Sequence, residues 1–153
     1  MRKIWFFFFF LFLNSSCEPD DVCSEANPST PQLVFRLYDS SQPNELKAVD
    51  TLRIMSLGDQ APLEFINTDS IVFPLQVNAN KINTDLTISN GATDRIEIDY
   101  LSNDVYLNRA CGFQSTFQIN SIEVEQPNSW VNSIEIVTNE VIIDTLAHVK
   151  IYH

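Results

Sequence analysis

From Pro31 onward, apolar and polar residues alternate with a period of two, the spacing of a strand with one face buried. Leu33, Phe35 and Leu37 alternate with Val34, Arg36 and Tyr38, and Leu52 and Ile54 flank Arg53. Leu86 and Ile88 alternate with Asp85 and Thr87. Ile96, Ile98 and Tyr100 alternate with Arg95, Glu97 and Asp99, the cleanest half-buried strand in the chain. Cys111, Phe113, Ser115, Phe117 and Ile119 share one parity and predict a long strand with an apolar face. Shorter stretches at 105–109, 122–124, 134–136 and 149–151 continue the pattern. The run 71–75 is apolar but contains Pro74, which places it at an edge or bend because proline cannot donate to a ladder. Asn90-Gly91 between two alternating segments is a hairpin turn. No window of eleven or more residues fits helical spacing better than strand spacing. The pattern predicts an all-β fold over residues 31–153, an antiparallel β-sandwich of about eight or nine short strands, with a β-barrel as the alternative. With only Gly58, Gly91 and Gly112 available, the turns must lean on Asn, Asp and Pro.

The amino terminus follows another rule. Arg2 and Lys3 precede an unbroken apolar run, residues 4–13, in which six of ten residues are phenylalanine. A spanning helix needs about 20 apolar residues, so this run has the length of a signal-peptide core. Leu13-Asn14-Ser15-Ser16-Cys17 resembles a loose bacterial lipobox, with Asn14 in place of the usual small apolar residue. The resemblance implies cleavage before Cys17 and acylation of that cysteine, so residues 1–16 are a lipoprotein signal peptide and 17–30 a lipidated tether. An ordinary secretory signal cut nearby would instead leave Cys17 as a thiol. The tether carries Pro19, Pro28 and acidic residues without a hydrophobic period. Its start, Glu18-Pro19-Asp20-Asp21, resembles the acidic export signal of some Bacteroidetes surface lipoproteins, which leaves the periplasmic face and the cell surface both open.

Composition then narrows the partners. Without residues 1–16 the chain keeps 137 residues, enough for one domain with a real core, and seven basic against twenty acidic residues, a net charge of −13. The basic residues are scattered, which excludes nucleic acid as a partner. With Cys17 acylated, Cys23 and Cys111 remain. An even pair in an oxidising compartment reads as a disulfide; the alternative is two separate thiols.

The chemistry is thin. Three isolated glycines build no phosphate loop, and there is no G-x-S-x-G. His148 and His153 are five apart in a terminal strand, on opposite faces, so they do not chelate one metal. No calcium loop is present; Asp99 and Asp104 bracket a Ser-Asn turn and read as a solvated strand end, with oxygen ligation as the alternative. No catalytic residue, metal, cofactor or small-molecule substrate is assigned. Trp130, the one tryptophan after the signal, is either a core anchor before an apolar strand or a stacking platform for a sugar. Asp50-Thr51-Leu52, Asp69-Ser70-Ile71 and Asp144-Thr145-Leu146 each resemble the O-glycosylation sequon of Bacteroidetes envelope proteins, making Thr51, Ser70 and Thr145 candidate acceptors, against a plain reading as strand starts.

Several short stretches together resemble a flavobacterial lipoprotein family, a domain of unknown function. They run from Cys17 to Cys23, through Thr30-Pro31, Asn67-Thr68-Asp69-Ser70 and Pro74-Leu75, to Arg109-Ala110-Cys111-Gly112-Phe113, the most distinctive. Asn128-Ser129-Trp130, Asn139-Glu140 and His148-Val149-Lys150-Ile151-Tyr152 complete the set. The resemblance implies a lipoprotein, a Bacteroidetes source and the cysteine pair, and lends no catalytic or binding residue. The expectation is a non-enzymatic outer-membrane lipoprotein, attached through its lipid and serving as a structural or accessory component alongside an envelope protein partner. A glycan- or peptide-binding module, using Trp130 or an exposed sheet edge, is the alternative.

Overall fold

The computed structural model of the chain describes Cys23 and residues 29–153. The stretches expected to be a signal peptide and most of a tether, Cys17 included, lie outside the described residues. Ten strands follow in order: β1 (Leu33–Tyr38), β2 (Val49–Ser56), β3 (Leu63–Thr68), β4 (Ser70–Phe73), β5 (Lys81–Ile88), β6 (Thr93–Asn108), β7 (Gly112–Val124), β8 (Ser133–Ile136), β9 (Glu140–Val141) and β10 (Val149–Tyr152). They form a four-stranded sheet, order β4-β1-β10-β8, and a six-stranded sheet, order β3-β2-β5-β6-β7-β9. The fold is all-β, as the alternation predicts.

Both sheets bury the face on which their apolar residues fall. Leu33, Phe35, Leu37, Ile71, Phe73, Val149 and Ile151 from one sheet share a core with Leu52, Ile54, Leu86, Ile96, Ile98, Tyr100, Phe117 and Ile119 from the other. Each such side chain contributes roughly 1.5–3 kcal/mol by leaving water. One residue separates β3 from β4 and three separate β8 from β9, and in both cases the chain passes from one sheet to the other. The sandwich is thereby joined near both sheet edges, which gives it a barrel-like character.

Four features depart from the alternation. First, β1 and β10 pair in parallel, Phe35 opposite Val149, so the smaller sheet is mixed. Second, β3 and β9 were not foreseen: β3 lies at an edge with most positions exposed, and β9 has two residues. Third, the segments around 96–100 and 105–109 are one 16-residue strand, β6, and those at 111–119 and 122–124 are one 13-residue strand, β7. Ser102-Asn103 is therefore mid-strand, not a turn. Fourth, Asp99 pairs with Ser121 but Tyr100 with Ile119, so Asn120 bulges from β7. The bulge keeps Ile119 and Ile122 turned toward the interior although their parity differs.

The Asn90-Gly91 turn closes the β5–β6 hairpin as expected, with Gly91 at φ 86°. Asn67 takes φ 46° at the β3–β4 junction, an Asn in the left-handed region where glycine is scarce.

Candidate functional site

β6 and β7 form the longest hairpin, and its far end is the most distinctive part of the surface. The β5 ladder covers β6 as far as Asp99, and the β9 ladder reaches Phe117 on β7. Beyond those points the two strands pair with each other. Within the core-facing row, Tyr100 packs edge-on against Phe117 with ring centroids 5.8 Å apart. Next come Ser102 and the Asp104–Ser115 pair, whose Ser115 hydroxyl donates to Asp104 Oδ1 at 2.7 Å. The row ends at Tyr106 opposite Phe113, rings 5.4 Å apart and edge-to-face. There the sheet has outrun its cover: Tyr106 is 59% and Phe113 68% exposed. Parity alone put Phe113 on the buried face, and the length of the arm brings it out.

The tip is a built turn. Asn108 Oδ1 accepts from the N–H groups of Ala110 and Cys111 at 3.0 and 2.8 Å. Cys111 is bonded to Cys23, Cα atoms 4.9 Å apart across 88 residues of sequence. A second tie lies alongside: Gln114 Nε2 donates to the Ser29 carbonyl at 2.8 Å and the Ser115 N–H to Thr30 Oγ1 at 3.3 Å. The disulfide expected from the cysteine count is present, and it fastens the N-terminal arm to the hairpin tip.

The outer face of the six-stranded sheet is polar. A shallow depression of about 340 Å³ there is lined by Asn83, Arg95, Glu97, Glu123, Val124 and Glu125. Its charges are paired across strands. Arg95 grips Asp85 through two bonds of 2.7 and 3.0 Å, Lys81 meets Glu97 at 2.7 Å and Arg53 meets Glu64 at 3.3 Å. The Glu97 hydrogen bond and charge raise the Lys81 pKa, and the Asp85 hydrogen bond and charge raise that of Arg95.

A buried carboxylate and a buried imidazole are committed to the main chain. Asp94 accepts from the N–H groups of Trp130 and Val131 at 2.8 and 2.7 Å, and from that of Ser129. Burial pushes its pKa up, but the bonds from Val131, Trp130 and Ser129 outweigh it, and the net displacement is below the usual carboxylate value. His148 Nδ1 accepts from the Val34 N–H at 3.0 Å, while the His148 N–H donates to the Val34 carbonyl at 2.9 Å. Burial lowers its pKa against opposing contributions from the Ile143 main chain and Asp144.

The remaining candidates fall apart spatially. Trp130 is 8% exposed and its Nε1 donates to the Leu86 carbonyl at 2.9 Å. It is the core anchor, and offers no open ring face to a sugar. His153 lies edge-on to Trp130 at 5.5 Å with Nε2 3.1 Å from the Lys47 carbonyl, away from the role of His148. Asp99 Oδ1 accepts from Asn120 Nδ2 at 2.6 Å beside the bulge, and Asp104 serves Ser115, so the two do not bracket a ligand loop. Thr51 lies in β2 and Ser70 opens β4, both half-buried; Thr145 is exposed in the loop before β10. Asp94 was missed in the sequence. Its parity with Ile96, Ile98 and Tyr100, an acid on an apolar face, was the available sign.

The model of a family described as "Family of unknown function (DUF6452)" matches residues 51–153, from within β2 to the last residue, leaving β1 outside the match. No curated protein and no solved structure matches the chain.

Proposed function

We propose that this chain, which belongs to the DUF6452 family of unknown function, is a Bacteroidetes outer-membrane lipoprotein anchored through an acylated Cys17. In this reading its β-domain is a non-enzymatic structural or accessory component of an envelope assembly. The observation that carries it is the Cys23–Cys111 disulfide, a bond that persists in oxidising compartments and not in a reducing cytosol. The sequence supports the same compartment through the apolar run 4–13 and the cysteine that follows it. A structural role is supported by how the charges are used. Arg95, Lys81 and Arg53 are held by carboxylates on neighbouring strands, and Asp94 and His148 are spent on main-chain bonds.

A second reading has one observation in its favour. β3 is an edge strand with Ile66 exposed, a surface on which an extended peptide would add as a further strand. That is the binding-module reading in peptide form, with Trp130 no longer part of it.

Mild crosslinking on intact native cells, followed by affinity recovery, tests the proposal. A reproducible envelope protein recovered with this chain is the expected result. Recovery alone, or with polysaccharide only, contradicts the accessory role and favours a ligand-binding module.

A further inference from the structure

Resting on the lipid-anchor reading, we propose that the far end of the β6–β7 hairpin docks on the bilayer surface, with Tyr106 and Phe113 seated at the headgroup boundary. Covalent reach bounds the distance from anchor to tip. Five residues separate Cys17 from Cys23, and an extended chain spans at most about 3.5 Å per residue, so the two Cα atoms lie within about 21 Å. The disulfide transfers that bound to the hairpin tip, because Cys111 is 4.9 Å from Cys23. The Asn108 side chain fixes the turn on which Cys111 sits. The anchored cysteine therefore lies within about 26 Å of the tip whatever path the tether takes, about half the length of β6.

What the tip presents suits that position. Tyr106 and Phe113 are mostly exposed, and tyrosine in particular has the amphipathic ring that collects at membrane–water boundaries. β9 runs antiparallel to β7, so the chain leaving Val141 heads toward the same end, where it carries exposed Ile142, Ile143 and Leu146. Exposed apolar and aromatic side chains at one end of a domain mark a surface that meets a membrane or a partner. The excess of acidic residues argues for docking through apolar and aromatic contact on zwitterionic lipid, not by attraction to anionic headgroups.

The test uses the full chain, purified from the membranes of its native host and reconstituted in phosphatidylcholine vesicles whose acyl chains carry bromine, a short-range quencher of tryptophan. Phe113→Trp reports on the tip. Ser89→Trp reports on the opposite end of β6, a strand of 16 residues, about 50 Å long at ~3.3 Å per residue. The parent chain, with Trp130 buried, supplies the background. The expected result is quenching of Phe113→Trp at least several-fold greater than that of Ser89→Trp. A Cys23→Ser, Cys111→Ser background still floats with the vesicles and loses that difference. Equal quenching of the two reporters in floated protein overturns the docking and leaves the anchor intact. Failure to float, with an unmodified Cys17 peptide mass, overturns the anchor reading and the docking with it.

Discussion

Cys23 and Cys111 are 88 residues apart in sequence and 4.9 Å apart at Cα, so one bond ties the chain's N-terminal arm to the tip of its longest hairpin. Closing a loop of that size contributes at most about 4.5 kcal/mol through the entropy of the unfolded chain. Reducing agent should therefore lower the melting temperature markedly in a thermal scan. An unchanged transition, or two titratable thiols in the native protein, would sink the disulfide.

Asp94 joins the start of β6 to the segment that carries Trp130 across to the other sheet. Asp94→Asn keeps the shape and gives up a buried charge that accepts three main-chain donors, at a cost of about 2–4 kcal/mol. Denaturant melts should show that loss, while Asp50→Asn at an exposed position leaves the midpoint in place. The carboxylate's lowered pKa adds a pH signature: its stabilisation is complete above the ordinary carboxylate value, about 3.9, and is lost as pH falls through the lower folded value.

His148 gives a separate window. Its folded pKa is lowered, chiefly by burial, so below the unfolded value of about 6.5 the unfolded chain takes up the proton more readily than the native one. Stability should fall with pH from about 6.5 downward, well before any carboxylate contributes. His148→Gln, which keeps an acceptor and cannot titrate, should be less stable at neutral pH and should flatten that slope. A slope unchanged by the substitution would mean that another group sets it.

Tyr100 closes the crossover between the sheets. Its hydroxyl donates to the Gln76 carbonyl at 2.9 Å and accepts from the Gln76 N–H at 3.1 Å, and its ring is fully buried. Tyr100→Phe should cost about 1–2 kcal/mol and leave both Gln76 groups in need of water. Hydrogen exchange at Gln76 should accelerate in the variant more than exchange in β10.

The strands were legible where one face meets the core and the other meets water, as in Ile96, Ile98 and Tyr100. Where that condition fails, the pattern fails with it. β3 is an exposed edge without alternation, β9 is too short to alternate, and the Asn120 bulge splits one strand into two apparent ones. The parallel β1–β10 pair brings together segments from opposite ends of the domain, which no local pattern records. At the candidate site, Cys111 was readable from cysteine arithmetic. The exposure of Phe113 was not, because it depends on where the neighbouring strands stop.

The central claim is the anchor, and the most direct measurement is the mass of the N-terminal peptide of the protein recovered from its native membrane. The account predicts a chain beginning at Cys17 and carrying a diacylglyceryl thioether. A chain processed elsewhere, or one with an unmodified Cys17, would contradict it.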